Sequence, residues 1–243
     1  RVVGEITLGR LTREEVGELI RATFLPTDPN VRVTAEFRDA LYERSDGNPF
    51  FTEELIKSLV DSGDVFHSAE GGWDRKPIDQ MKIPGSVREA VRARVERLAP
   101  EAQATLSAAA AIGLRCSFDL LRTVRGVSEA ELEAHLREAI EQQLVSELGG
   151  SSDEYGFRHA LTKEVVYDDL MVRERKRLHR SVADALIADA RSEPALVAHH
   201  LGAAADHEAA VPYLLEAARR AYRTFATRDA AAHYERALEI GVP

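Results

Sequence analysis

The sequence predicts a mainly α-helical protein that carries one small β-hairpin. Apolar residues recur at helical spacing along most of the chain, and Ser/Thr-x-x-Glu capping boxes start helices at Thr12, Ser86 and Ser128. A turn rich in glycine and serine at 149–153 separates two short apolar segments, which is typical of a hairpin. From His159 onward, helical patterns follow one another to the end of the chain.

The first 84 residues are predicted to form a small helical domain. A strand-like segment at 2–8 precedes a helix that runs from the first capping box to about Phe24, and a second helix covers 34–44. Residues 62–84 contain several glycines and prolines, so we expect mostly loop there. The exception is a short ribbon at Val65-Phe66 and Trp73.

The segment SDGNPFFTEEL, residues 45–55, predicts a tight corner between the second helix and a third one. Gly47 can take a positive φ and end the preceding helix. Asn48 can cap the next helix with its side-chain oxygen, and Pro49 at the first helical position loses only an amide that has no partner in the helix. We call residues 46–49 the proline corner.

The third helix is predicted to be amphipathic. Its apolar stripe consists of residues spaced four apart, namely Phe51, Leu55 and Leu59. The charged residues between them are predicted to face solvent: Glu53, Glu54 and Lys57.

Residues 85–170 are predicted to form a winged-helix domain. Helices at 86–98, 100–113, 118–124 and 128–144 are followed by strands at 144–148 and 154–158. The last three of these helices, followed by the hairpin, give the order of a winged helix, a variant of the helix-turn-helix. The second of these segments is rich in alanine, and we expect its small side chains to allow the close approach of neighbouring helices.

Residues 171–243 are predicted to contain a helical linker and the start of a repeat superhelix. The helices after the hairpin are expected at 160–170, 172–190, 195–205, 207–223 and 228–240. In the last pair, alanines are spaced against Tyr213 and Tyr234, a pattern similar to the interlocking helices of a tetratricopeptide repeat. The fold class is therefore α-hairpins that follow a small helical domain and a winged helix.

Composition excludes several kinds of protein. The 243 residues carry a formal net charge of −9, which disfavours general adhesion to DNA or anionic lipid. No apolar run approaches the ~18 residues of a membrane span. The single cysteine, Cys116, excludes an intrachain disulfide and is predicted to be a small buried residue. We therefore expect a cytoplasmic protein.

No catalytic residue and no metal site is predicted. The chain lacks a G-x-x-x-x-G-K-[ST] phosphate loop, and the carboxylates that follow Val165-Val166-Tyr167 fit a solvated helix end. His199, His200 and His207 have no cysteine or carboxylate to complete a ligand set, so we expect exposed or hydrogen-bonded histidines.

Direct DNA binding is disfavoured by charge. The third helix of the winged helix would enter the major groove, yet its outward residues are mostly acidic: Glu129, Glu131, Glu133, Glu138 and Glu141, with Arg137. Such a helix would repel phosphates. A basic run does exist in a later helix, at Arg173, Arg175, Lys176, Arg177 and Arg180.

Four ordered motifs resemble the part of a STAND-class signal-transduction ATPase that follows the nucleotide-binding core. They are EITLGRLTREEVGELI (5–20), SDGNPFFTEEL, IPGSVREAVRARVERLAPEAQATLSAAAAIG (83–113) and YGFRHALTKEVVYDDL (155–170). The chain is most similar to large LuxR-type regulators and to the ATPase regions attached to some nucleotidyl cyclases. The resemblance identifies residues 1–84 as a helical lid.

The resemblance also implies the nucleotide contacts. Pro49 would pack near the adenine of ADP or ATP, Gly47 and Asn48 would shape the corner, and His159 would reach the β-phosphate. Where many relatives carry aspartate after this histidine, Ala160 stands here. The phosphate loop and the magnesium ligands would lie upstream of Arg1, so this segment alone is expected to bind nucleotide weakly or not at all.

The resemblance implies that this segment is regulatory and has no enzymatic activity of its own. The parent protein would be an ATPase, and a nucleotidyl cyclase activity of that parent stays open. The partners of the segment would be an upstream P-loop domain and downstream helical repeats. A small-molecule or protein inducer and an oligomer stay open. The alternatives are a protein-interaction scaffold of helical repeats without a nucleotide role and, third, DNA binding by the winged helix.

Overall fold

The computed structural model describes residues 9–29, 31–68, 72–81, 83–149, 153–189 and 191–241. The described residues are mainly α-helical with two small antiparallel sheets, which confirms the predicted fold class. The chain divides into two compact units, Arg1–Arg94 and Val95–Pro243. The strand-like segment predicted at 2–8 lies outside the described residues.

Helices and one hairpin build the first unit. In chain order the elements are α1 (Arg13–Phe24), α2 (Ala35–Ser45), α3 (Pro49–Asp61), β1 (Val65–His67), β2 (Trp73–Arg75), a 3-10 turn (Ile78–Gln80) and α4 (Val87–Val95). The capping box at Thr12 is present, with the Thr12 side chain and Glu15 bonding each other's backbone amides. The predicted ribbon is the antiparallel pair β1–β2.

One apolar core holds the first unit together. It consists of buried side chains from α1, α2, α3 and β1: Val16, Ile20, Phe24, Phe37, Leu41, Phe51, Leu55, Ile56, Leu59, Val65 and Met81. The predicted stripe of α3 is among them, which confirms the orientation of that helix. Burial of each large apolar side chain contributes roughly 1.5–3 kcal/mol.

The second unit begins with the predicted winged helix. Its elements are α5 (Pro100–Ile112), β3 (Arg115–Ser117), α6 (Phe118–Arg125), α7 (Glu129–Glu141), β4 (Val145–Leu148), β5 (Glu154–Phe157) and α8 (Ala160–Asp168). The predicted hairpin is confirmed, because β4 and β5 pair antiparallel. A third strand was not predicted: β3 pairs with β5, which gives the strand order β3-β5-β4.

Helix α5 lies at the centre of this part of the unit. Four consecutive alanines, Ala108 to Ala111, are buried, and successive residues of a helix point about 100° apart. Helix α5 packs against α6, α7, α8 and the next helix along the chain, α9 (Val172–Ala188). The expectation that its small side chains admit close neighbours is confirmed.

Helical hairpins complete the second unit. They consist of α9 (Val172–Ala188), α10 (Pro194–Ala203), α11 (His207–Arg223) and α12 (Thr227–Gly241), each packed against the next. Helices α11 and α12 pack together, and the alanines at the repeat-like positions are buried: Ala210, Ala217, Ala230 and Ala237. None of the described helices combines the length and the apolar character that a membrane span requires.

Candidate functional site

The proline corner has two consecutive residues in the left-handed region. Helix α2 ends at Asp46, with φ 49° and ψ 41°, and Gly47 follows with φ 67°. Asn48 then caps α3 by accepting a hydrogen bond from the Phe51 amide at 3.3 Å, and Pro49 is the first residue of the helix. The local prediction for this corner is therefore confirmed.

The proline corner is bound to the chain segment that leads into α1. The Leu11 amide donates to the Gly47 carbonyl oxygen at 2.8 Å, and Arg10 donates to the Asp46 carbonyl at 2.8 Å. A Cβ added to Gly47 would overlap the Leu11 carbonyl oxygen. The position thus needs glycine both for its φ and for space. Gly47 itself is buried, whereas Pro49 is exposed, so its ring is accessible at the surface.

Glu54 does not face solvent, so that prediction was wrong. Its side chain is 1% exposed and forms an ion pair with Arg94 of α4, which is 2% exposed. Lys57 Nζ also donates to Glu54 at 3.2 Å. A carboxylate is buried in a protein only when it is paired, and the partner here lies forty residues along the chain.

His159 is the N-cap residue of α8, immediately after β5. Its backbone is extended, with φ −141° and ψ 142°, and its carbonyl oxygen accepts from the Thr162 amide at 3.1 Å. The half-buried imidazole does not cap the helix. Unpaired amides of the first helical turn favour anions, so the position suits a group that would contact a phosphate.

The predicted nucleotide contacts fall in both units. Gly47, Asn48 and Pro49 are contiguous in the first unit, and His159 belongs to the second. Their convergence on one nucleotide stays a prediction. Among the described residues, no group of three or more histidines, cysteines or carboxylates is placed to hold a metal ion.

The histidines and the cysteine behave differently from one another. His199 is exposed, while His200 is buried and hydrogen-bonds to His179, a residue that the sequence did not single out. Cys116 lies buried in β3, as predicted, and burial raises the pKa of its thiol to about 12. It is therefore a packing residue rather than a nucleophile.

The acidic surface predicted for the groove-reading helix is present. On α7, Glu129, Glu133 and Glu141 are exposed. Glu138 is half-buried and accepts a hydrogen bond from the Ala99 amide at 2.6 Å. These carboxylates disfavour contact between α7 and a phosphate backbone.

A known structure shares this fold. The chain matches no protein-family model and no curated protein. One matching solved structure is a crystal structure of the Signal Transduction ATPase with Numerous Domains (STAND) protein with a tetratricopeptide repeat sensor from Pyrococcus horikoshii. The match has 16% identity and a TM-score of 0.56, and it covers 97% of this chain but 31% of that one. The likeness concerns the fold, over nearly all of this chain and under a third of the archaeal protein.

Proposed function

We propose that this chain is a regulatory segment of a STAND ATPase. It closes over an ADP or ATP site that is formed mainly by a P-loop domain of the full-length protein, and it couples that site to a repeat sensor. The segment supplies no catalytic group of its own. The finer classes, LuxR-type regulator and cyclase-associated protein, rest on the sequence resemblance alone.

The order of the elements carries this proposal. A helical unit with a rigid proline corner, a winged helix with His159 at the start of α8, and stacked helical hairpins follow one another in the chain. The fold likeness to a STAND protein with a repeat sensor spans all three parts. An exposed proline ring and an imidazole at a helix start are suitable groups for adenine and phosphate, respectively.

Nucleotide retention by the full-length protein tests the proposal. His159→Ala removes one hydrogen bond to a charged phosphate, worth about 1.5–3 kcal/mol, so ADP should dissociate roughly 10-fold faster or more. His207→Ala is the matched control, because His207 is an exposed histidine in the first turn of α11. Equal ADP release from the wild type and from His159→Ala would remove this residue from the mechanism.

Pro49→Ala tests the adenine contact. It should weaken ADP affinity in the full-length protein with little change in melting temperature, because the ring is exposed. Pro100→Ala is the control, since Pro100 is also an exposed proline at the first position of a helix, α5. If Pro49→Ala lowers the melting temperature and leaves ADP affinity unchanged, the proline corner is architectural.

A protein-interaction scaffold is the second candidate, and exposed apolar side chains favour it. On the α11–α12 hairpin, Phe225 is 89% exposed, and Tyr222 and Leu238 are also exposed. Such side chains are common at protein contacts. In a scaffold without a nucleotide role, the full-length protein would not retain ADP, and neither the Pro49 nor the His159 substitution would have an effect.

A further inference from the structure

A chain of hydrogen bonds connects the last helix of the winged helix to the first helical hairpin. Tyr167 Oη of α8 lies 2.8 Å from His179 Nε2 of α9, and His179 Nδ1 lies 2.8 Å from His200 Nδ1 of α10. Both imidazoles are buried, at 3% and 1% exposure. The Tyr167–His179–His200 chain therefore links three helices through two buried imidazoles and a half-buried tyrosine.

The two bonds hold when both imidazoles are neutral. One proton lies between the two Nδ1 atoms. Either His179 donates to His200 and accepts from the Tyr167 hydroxyl, or His200 donates and His179 Nε2–H donates to Tyr167. In both arrangements His200 Nε2 is buried and makes no hydrogen bond within the described residues. The two links of the chain are thus satisfied, and His200 Nε2 is the ring nitrogen that would take a first proton in the second arrangement.

Added protons are disfavoured because both imidazoles are buried and two cationic side chains lie against Tyr167. Lys163 Nζ lies 4.6 Å, and the Arg175 guanidinium 5.0 Å, from the centre of the Tyr167 ring, and the His199 ring lies 5.1 Å from that of His200. A first proton would place a charge in the interior beside these groups. A second would set one Nδ1–H donor against another and break the His179–His200 bond.

Carboxylates on the neighbouring helices have other partners. The described ion pairs on the helices packed against α9 and α10 include Glu101–Arg125 between α5 and α6, Asp119–Arg122 on α6, Arg180–Asp206 beside α11, Glu193–Arg220 between the start of α10 and α11, and Glu216–Arg220 on α11. Burial, with His179 and His199 acting in the same direction, lowers the pKa of His200 to about 3. Burial, with His199 and Lys163, lowers the pKa of His179 to about 4.

We infer that the Tyr167–His179–His200 chain is a proton-sensitive latch. It holds α10 on α8 and α9 while both imidazoles are neutral, and it releases this junction when they take up protons. The inference does not depend on nucleotide binding. It assigns a role to the one place where the winged helix and the helical hairpins are joined by a buried polar chain in the described structure.

The direction of the pH effect follows from the lowered pKa values. The folded state disfavours the protonated imidazoles, so the stabilisation is complete above the ordinary pKa of 6.5 and is lost as pH falls from 6.5 toward 4. Between pH 7.5 and pH 5, each histidine should raise the equilibrium constant for opening the junction by about 30-fold. As the pH falls, α10 should therefore separate from α8 and α9 before the first unit unfolds.

Hydrogen exchange tests the latch on the chain as it stands. Amide protection in α8 and α10, corrected for the intrinsic rate, should fall between pH 7.5 and pH 5. Amide protection in α1, α2 and α3 of the first unit should stay constant. His200→Asn keeps a hydrogen-bonding group near the Nδ1 position and cannot titrate, so it should reduce the pH dependence by about 30-fold. His199→Asn removes the exposed neighbour, which forms neither of the two hydrogen bonds, so it should change the pH dependence far less than His200→Asn.

Two results would overturn the inference. The first is equal pH dependence in His200→Asn and His199→Asn. The second is an NMR titration of the wild-type imidazoles in which His179 and His200 protonate with midpoints near 6.5 while α10 stays protected. The NMR measurement needs no variant, so it decides the matter even if His200→Asn fails to fold.

Discussion

Removing the carboxylate of Glu54 should destabilise the first unit strongly. In Glu54→Ala, Arg94 keeps its charge at 2% exposure and Lys57 loses the acceptor at 3.2 Å. Breaking a buried pair by removing one partner costs about 3–5 kcal/mol, because the remaining charge stays buried and loses the attraction of that partner. The free energy of unfolding, measured with urea and Trp73 fluorescence, should fall by that amount. Trp73 is a suitable probe because its ring packs at 4.7 Å on Phe24 of the core.

Two further variants make the reasoning testable. Glu53→Ala, one residue away, removes a carboxylate that lies 3.9 Å from Lys57 Nζ and is 38% exposed. It should therefore lower the free energy of unfolding by only about 0–1 kcal/mol. Replacing both partners, Glu54→Leu with Arg94→Met, should recover most of the stability lost in Glu54→Ala, since no unpaired charge remains. The buried ion pair does not have this role if Glu54→Ala lowers the free energy of unfolding no more than Glu53→Ala does. The same holds if the double variant is as unstable as Glu54→Ala.

Two other predictions concern backbone space and thiol reactivity. Gly47→Ala should lower the free energy of unfolding by about 2 kcal/mol or more, because a Cβ would strain a φ of 67° and overlap the Leu11 carbonyl. Gly126→Ala, at φ 64° with open space around it, should lower it by about 1 kcal/mol. Equal losses for the two variants in urea unfolding would contradict the overlap. Cys116 should resist alkylation by iodoacetamide at pH 8 and react after unfolding, because burial raises the pKa of its thiol to about 12 and keeps it protonated. Mass spectrometry measures the extent of modification, and rapid modification of the native protein would contradict the burial of this thiol.

Local signals predicted most of the secondary structure. Capping boxes, the apolar stripe of α3 and the hairpin signal at 149–153 act over a few residues, so they can be read from the sequence. The structure confirms the capping boxes at Thr12 and Ser128, the stripe, and the pairing of the two strands of the hairpin. Strand β3 could not be read in this way. It has three residues, too few to show a period, and it is a strand because β5 pairs with it from forty residues away.

Charged and titratable residues were harder to place than apolar ones. Glu54 lies between two residues of the buried stripe, and its burial depends on pairing with Lys57 and with Arg94, which lies on another helix. His179 and His200 are 21 residues apart, and neither carries a local signal of the bond between them. The residues of the proline corner were placed correctly because their geometry is local, while the joint role of Pro49 and His159 stays a prediction.

The four buried alanines of α5 have a consequence for where the protein can be divided. A helix with no solvent-facing side over a full turn depends on every neighbour at once, and α5 packs against both α8 and α9. A fragment that ends at residue 170 would lack α9 and would expose alanine side chains of α5 to solvent. The winged helix and the first helical hairpin are thus distinct in topology but share one apolar interior. A stable fragment of this part of the chain should therefore begin before α5 and include both.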